Sequence, residues 1–387
     1  MSPIVTVRVQ NAAPPPEPTP TPPGGGGAVR RVPQDYSSIQ AAINASTAGD
    51  TVLVSPGTYS GTIQIDRGIT LASLFLTTGD RTNIDRTFLS GGAPIVSVST
   101  AAANARIIGF TLKGGTKGIQ AFAHATVEDN KFMAVGNDAT SIETTSGIIR
   151  HNYFEFPGDD CIDVDDPRGS ILVEANYCKG ADDDGIEIRN YNYTGPMVTV
   201  TISSNTFVGS ENGDGIQLID YSATANRRYL IQRNLLISNN KAGLGLLDNG
   251  DTVQDFRAAS MPERIEVINN TIAGNNHGIS GGDNLIAVNN IIANNSVLGI
   301  KGADNRSIAS FNIFYGNGTN YSASNVSTTT SLFVNPMLGA DYRLQAASPA
   351  IDAGTPSFTH NGEVILNLPA TSYNGTAPDL GAYETGP

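Results

Sequence analysis

One asparagine, set inside a short apolar strand, is written eight times along this chain. The copies read VEDNKF, IRHNYF, VEANYC, ISSNTF, IQRNLL, VINNTI, AVNNII and ASFNIF. They place Asn130, Asn152, Asn176, Asn205, Asn234, Asn270, Asn290 and Asn312 at intervals of 22, 24, 29, 29, 36, 20 and 22 residues. Intervals that vary around a constant core describe a repeated coil carrying loops of different length. β-Branched runs broken by Gly, Asn and Asp at a period in the twenties fit a parallel β-solenoid, and the leucine framework of a leucine-rich repeat is absent. About 300 residues of such coils make some eleven or twelve turns around one continuous core. Asparagine suits a tight corner because it tolerates left-handed dihedrals and its amide can bond to the same residue one coil away. The eight residues are expected to form an inward-facing structural ladder.

A second phrase recurs between residues 137 and 220, reading TSIE, DCID, DGIE and DGIQ. Set in register, Ile142, Ile162, Ile186 and Ile216 face the core, and strand alternation turns Glu143, Asp163, Glu187 and Gln217 outward. A further column, Thr140, Asp160, Asp184 and Asp214, precedes them. Neighbouring coils lie about 4.8 Å apart. Two unit charges at that distance repel by about 1 kcal/mol in water and about 3–4 kcal/mol at an effective dielectric of 20. Confined in a groove, Asp163 beside Glu187 and Asp160 beside Asp184 need a cation or a retained proton. Asp159, Asp165, Asp166, Asp182 and Asp183 crowd the same coils. Three readings stay open: a solvated acidic surface, a calcium site with Asp163, Asp165 and Glu187 as hard oxygen ligands, or catalytic carboxylates.

Residues 1–11 open with Val5, Val7 and Val9 alternating with polar residues, the pattern of a half-buried strand or arm. Residues 12–27 are Pro-rich and then Gly-rich, a spacer that forms no core. Globular composition begins at residue 28 and continues to 387, one solenoid domain. Within it SSIQAAINAS has the spacing of a short helix that caps the open end, and AGDTVLVSPGTYSGTIQIDRGITLAS reads as three short strands. There is neither a charged-then-apolar leader nor an apolar run long enough to span a membrane.

With 23 basic and 36 acidic residues the formal charge is −13, which disfavours nucleic acid as a partner. Cys161 and Cys178 fall in different columns of neighbouring coils. Spacing leaves a disulfide open, and buried thiols are expected.

At IQAAINASTAGDTVLVSPGTY the chain resembles the right-handed parallel β-helix superfamily that includes pectate lyases and polygalacturonases, in particular the first coil of its secreted bacterial members. The far end, SLFVNPMLGADYRLQAASPAIDAG followed by APDLGAYE, resembles the choice-of-anchor Q signature of bacterial surface β-helix proteins. Together these imply an all-β, right-handed β-helix at the cell surface or outside the cell, with polysaccharide as partner. GDDCI, Gly158–Ile162, is similar to the polygalacturonase string whose two aspartates flank a hydrolytic water, which points to Asp159 and Asp160 with Asp184 one coil on. The companion strings of that family are replaced here by Asn137-Asp138-Ala139-Thr140 and Asp183-Asp184-Gly185.

A lyase would instead need calcium or a basic group to neutralise a uronate carboxylate, and a Lys or Arg to take its proton. Arg189 is the best-placed candidate, with Lys179 and Arg150 behind it; its alternative role is a salt bridge to Asp165. Long loops after these coils carry Tyr191, Tyr193, Tyr221 and Arg227, which could stack on sugar rings or hold acidic groups. Two function classes follow. One is a calcium-dependent protein that binds, and as lyase or hydrolase cleaves, an acidic polysaccharide. The other is a non-catalytic, filament-forming β-helix assembled through residues 1–27.

Overall fold

The computed structural model describes residues 27–221, 225–250, 252 and 259–386. The expected amino-terminal strand, residues 1–11, and all of the spacer but Gly27 lie outside the described residues. Three parallel sheets run the length of a solenoid. Sheet A has twelve strands, from Val29–Val32 to Ile308–Ser310, sheet B has eleven, from Gly57–Ser60 to Ile313–Tyr315, and sheet C has eleven, from Ile63–Ile65 to Thr319–Ser322. A coil visits them in turn: Ala125–Glu128 in A, Lys131–Met133 in B, Thr140–Glu143 in C, and then A again at Gly147–Arg150. The stretch read as three strands contains four, ending at Thr70–Ser73. The capping helix is Ile39–Asn44; the Ser38 hydroxyl accepts from the Ala41 N–H, and Ile39, Ala42 and Ile43 are buried.

The asparagine ladder holds the coils in register. In each case the backbone N–H and side-chain amide of one asparagine donate to Oδ1 of the next, as from Asn205 to Asn234 at 2.9 and 3.0 Å. The same amide also donates to a strand carbonyl one coil back, Ile202 for Asn234 at 2.8 Å. The expected dihedral argument is corrected by one position: it is the preceding residue that turns left-handed. Asp129, His151, Ala175, Ser204, Arg233, Asn269, Asn289 and Phe311 all have φ between 51° and 60°. The asparagine is chosen for its amide, which no other side chain of that size could use as donor and acceptor at once. A second ladder, not anticipated, runs through Asn239, Asn275, Asn295 and Asn317 at the corner between B and C. Its signal was present in the sequence, since each member follows a first-ladder asparagine by five residues.

Inward side chains form columns, and in sheet B the column reads Phe132, Phe154, Cys178, Phe207, Leu236 and Ile272. Phe132 and Phe154 stack with ring centroids 4.7 Å apart. Cys178 is joined to Cys161 by a disulfide with Cα atoms 6.2 Å apart, which corrects the expectation of buried thiols. The pairing follows from the coil geometry: Cys161 sits at the corner before a sheet C strand, and the next pass of sheet B brings Cys178 beneath it. The carboxy-terminal segment folds back over the solenoid flank. Leu380 and Ala350 cover Ile291, Ala293 and Ile313, and Ala382 covers Val208, Leu235 and Ile237. Asn289 clasps this segment, its amide donating to the Thr355 carbonyl and its Oδ1 accepting from the Thr355 N–H, both at 2.9 Å.

Replacing Asn234 with Ala would leave the Asn205 N–H and the Ile202 carbonyl buried without partners, a loss of about 2–4 kcal/mol in denaturant unfolding. Thiol titration of the oxidised protein in denaturant should find no free cysteine. Reduction should lower stability by about 3 kcal/mol for a loop of this length.

Candidate functional site

Register across sheet C decides which side chains meet. Thr140 pairs with Ile162, Ser141 with Asp163 and Glu143 with Asp165, so the first copy of the acidic phrase is displaced by two residues from the alignment expected. Asp138, not Thr140, heads the column of Asp160, Asp184 and Asp214, and Ser141, not Glu143, heads that of Asp163, Glu187 and Gln217. A copy further upstream, KGIQ, extends both columns with Lys117 and Gln120. That lysine is the site residue sequence reasoning missed, and its signal was the match of KGIQ to DGIE.

The columns differ in what they do. Along the corner the acids bond the backbone of the next coil: Asp160 Oδ1 accepts from the Asp184 N–H at 2.8 Å, Asp184 Oδ1 from the Asp214 N–H at 2.5 Å, and Asp214 Oδ1 from the Ala242 N–H at 2.5 Å. All three are buried. Burial first, then repulsion from Glu187 and Asp159 on Asp160 and from Asp160 and Asp214 on Asp184, pushes both well above the usual carboxylate range. Burial also holds Asp214 at about 8. Asp160 and Asp184, expected as catalytic groups, are buried and bonded to the backbone of the next coil. Asp159, next to it, is half-buried, bonded to the Asn137 amide at 2.9 Å, and raised to about 6 by burial and by Asp138 and Asp183.

On the strand face, Arg189 occupies the space between the three expected calcium ligands. Its Nη1 lies 3.4 Å from Asp163 Oδ1 and 3.4 Å from Asp165 Oδ1, and its Nη2 pairs with Glu187. The protein's own guanidinium therefore stands where Asp163, Asp165 and Glu187 were expected to share an ion. Those carboxylates hold the Arg189 pKa above its ordinary value against the opposing effect of burial. The salt bridge to Asp165, given as the alternative for Arg189, is present. Lys117 Nζ completes the cationic side, 2.7 Å from Asp138 Oδ2 and 3.9 Å from Asp163 Oδ2. Even so, burial holds Glu187 at about 7 and Asp163 well above the usual range. Carboxylate oxygens of Asp160, Asp163 and Glu187 lie within 4.8 Å of one another, as do those of Glu143, Asp163 and Asp165.

At the opposite edge of sheet C, Tyr191 and Tyr221 stack with centroids 4.5 Å apart, and Tyr191 is exposed. Tyr193 is half-buried against the core. Arg227, expected on the same binding surface, is corrected: it is fully buried, paired with Asp166 at 2.5 Å and donating to the Pro167 and Tyr191 carbonyls. It anchors the loop that carries Tyr191. Lys179 and Arg150 lie on other sheets, Lys179 over Phe156 and Arg150 paired with Glu128. The site is therefore an acidic face of sheet C, with half-exposed Glu143, Asp159, Asp165 and Asp183 around a buried floor of Asp160, Asp163 and Glu187.

Residues 95–257 match the family model described as right handed beta helix region. No curated protein matches the sequence. Among solved structures, the catalytic domain of a GH87 alpha-1,3-glucanase in complex with nigerose is similar at 13% identity over 83% of this chain and 70% of that one, with a TM-score of 0.52. The A-module of the Azotobacter vinelandii mannuronan C-5 epimerase AlgE6 is similar at 14% identity over 77% and 91%, with a TM-score of 0.50. Pectate lyase Pel9A is similar at 15% identity over 93% and 98%, with a TM-score of 0.45. The likenesses to the glucanase and the epimerase module are of fold, and with the family model they identify the solenoid as a right-handed parallel β-helix.

The raised carboxyls give stability a sign with pH. A carboxyl whose folded pKa exceeds its unfolded value binds its proton more tightly when folded. Its contribution is full below the unfolded value and is lost as pH rises through the folded one. With Asp159 at about 6, Glu187 at about 7 and Asp214 at about 8, the melting temperature should fall between about pH 5 and pH 8.5. Asp214→Asn keeps the acceptor for the Ala242 N–H and should flatten the upper part of that fall.

Proposed function

We propose that the acidic face of sheet C binds a polysaccharide and cleaves it by hydrolysis, outside the cell or at its surface. The observation that carries this is the half-exposed Asp159, held at about 6 at the rim of a floor of further carboxyls. It is a carboxyl protonated under mildly acidic conditions, the acid that glycoside hydrolysis needs. In this reading Asp159 is the proton donor, and Asp183, half-buried in the next coil, is assigned the part of assisting a water. Tyr191 and Tyr221 form a platform on which a sugar ring stacks. The reading draws support from two proteins of this fold, an alpha-1,3-glucanase and a mannuronan C-5 epimerase. The disulfide is in keeping with an oxidising compartment.

We assign calcium to Asp160, Asp163 and Glu187 in place of the set first expected, because their oxygens converge within 4.8 Å. When bound it would supply positive charge to an acidic sugar.

A second, non-catalytic reading is favoured by the engagement of Asp160, Asp184 and Asp214 in backbone bonds, which gives the acidic column a structural use.

On a panel of uronate and neutral polysaccharides, hydrolysis should release reducing ends without the ultraviolet absorbance of an unsaturated product. Asp159→Asn should lower kcat by about 10²–10⁴ while the protein stays folded by circular dichroism, and activity should decline as pH rises through about 6. Absorbance would replace this mechanism with a lyase, and silence on every substrate would favour the structural reading. Separately, calcium at about a hundred times its Kd should stabilise the fold by about 2.7 kcal/mol, and superimposable melts with calcium and chelator would remove the ion.

A further inference from the structure

The two ends of the solenoid are finished differently. In sheet C the backbone groups of inward-facing residues point to the following coil: the Ile63 N–H donates to the Ile95 carbonyl, and the Val96 N–H to the Gly118 carbonyl. Outward-facing residues point to the preceding coil. In the first strand of that sheet this leaves the backbone groups of Gln64 without a coil to meet, and the side chain of Gln40 meets them instead. Its Oε1 accepts from the Gln64 N–H at 2.9 Å and its Nε2 donates to the Gln64 carbonyl at 3.1 Å. Sheet A is closed at the same end by a turn. Asp35 Oδ2 accepts from the Arg31 N–H, and the Asp35 and Tyr36 N–H groups donate to the Arg31 carbonyl.

At the far end, sheets A and B are also closed, by bridges from Ala309 to Val326 and from Ile313 to Leu332. Sheet C is not. Its last strand, Thr319–Ser322, pairs only with Leu298–Ala303. Tyr321 holds the inward position, opposite Ile300, so its N–H and carbonyl face the missing coil. No partner for either is found among the described residues. Beside this edge Phe333 and Val334 are exposed, and the Phe333 ring stacks on Phe314 5.6 Å away. A bare strand edge with apolar side chains beside it is a template for another strand.

We infer that this edge accepts residues 4–9 of a second copy of the chain, Ile4 to Val9, as an additional parallel strand, joining β-helices end to end. In that segment Val5, Val7 and Val9 alternate with Thr6 and Arg8, so one face continues the core above Tyr321 while the other stays in water. Its spacer selects the neighbour over the chain's own edge. To add a strand to its own edge the chain would have to cross eleven coil spacings beyond the first strand of sheet C, about 53 Å at about 4.8 Å each, which residues 10–26 span only with every residue, glycines included, drawn out at about 3.1 Å. A copy stacked end-on brings the root of its spacer, Gly27, directly to the edge. Each copy carries one donor segment and one acceptor edge on opposite ends, so the contact is heterologous and propagates. The inference is independent of any activity on polysaccharide.

Sedimentation velocity over a concentration series tests it with two variants. The chain lacking residues 1–26 keeps the acceptor, and Tyr321→Pro keeps the donor while removing the edge N–H. The full chain should form concentration-dependent oligomers, each variant alone should be monomeric, and an equimolar mixture of the two should form a 1:1 dimer. A full chain monomeric throughout, or oligomers that persist without residues 1–26, would overturn the inference. Should Tyr321→Pro unfold by circular dichroism, a synthetic peptide of residues 1–11 replaces it: binding to the truncated chain supports the strand addition, and no binding overturns it.

Discussion

The hydrogen bond from one asparagine to the same asparagine a coil away is the interaction on which the rest of this molecule depends. It is buried and satisfied in both directions, because the amide donates to Oδ1 of the next asparagine and to a strand carbonyl of the preceding coil. Loops of very different length can leave and rejoin the coil without disturbing it, since the ladder fixes the corner between sheets A and B whatever happens elsewhere. Like residues are thereby forced into columns, and a column of aspartates is a consequence of the same register that makes a column of phenylalanines.

Like charges at coil spacing repel, and the molecule relieves the repulsion in three ways at once. Asp160, Asp184 and Asp214 give their carboxyl oxygens to backbone N–H groups of the next coil. Arg189 and Lys117 lie among the outward acids as internal counterions. What is left is carried as retained protons, which is why burial raises so many of these groups together. A face arranged this way is strained electrostatically and holds carboxyls raised by burial, half-exposed Asp159 among them.

The fold does not assign the chemistry, since right-handed β-helices host several reactions. The residues narrow it. Arg189 is tied to three carboxylates, whereas carboxyls raised by burial are abundant on the same face. Arg227 shows how a side chain can serve a site without touching it: buried against Asp166, it fixes the loop on which Tyr191 meets Tyr221.

The solenoid, its number of coils, the inward asparagines and the capping helix were determined by the sequence alone, because periodic apolar strands and a corner amide recur at fixed offsets within each coil. The crowding of acids on one set of coils was equally legible. Only the tertiary structure decided the register of the first acidic copy, where TSIE pairs two residues away from the alignment its letters invite; strand pairing answers to the backbone ladder, not to the best match of side chains. It also decided that the left-handed residue precedes the asparagine, since the corner geometry, shared by Asp, His, Ala, Ser, Arg and Phe at that position, leaves no trace in residue type. The disulfide, the burial of Arg227 and the placement of Arg189 among three acids belong to the same class. Each depends on which side chains of neighbouring coils face one another across a few ångströms, a distance that sequence separations of 17, 61 and 24 residues do not encode.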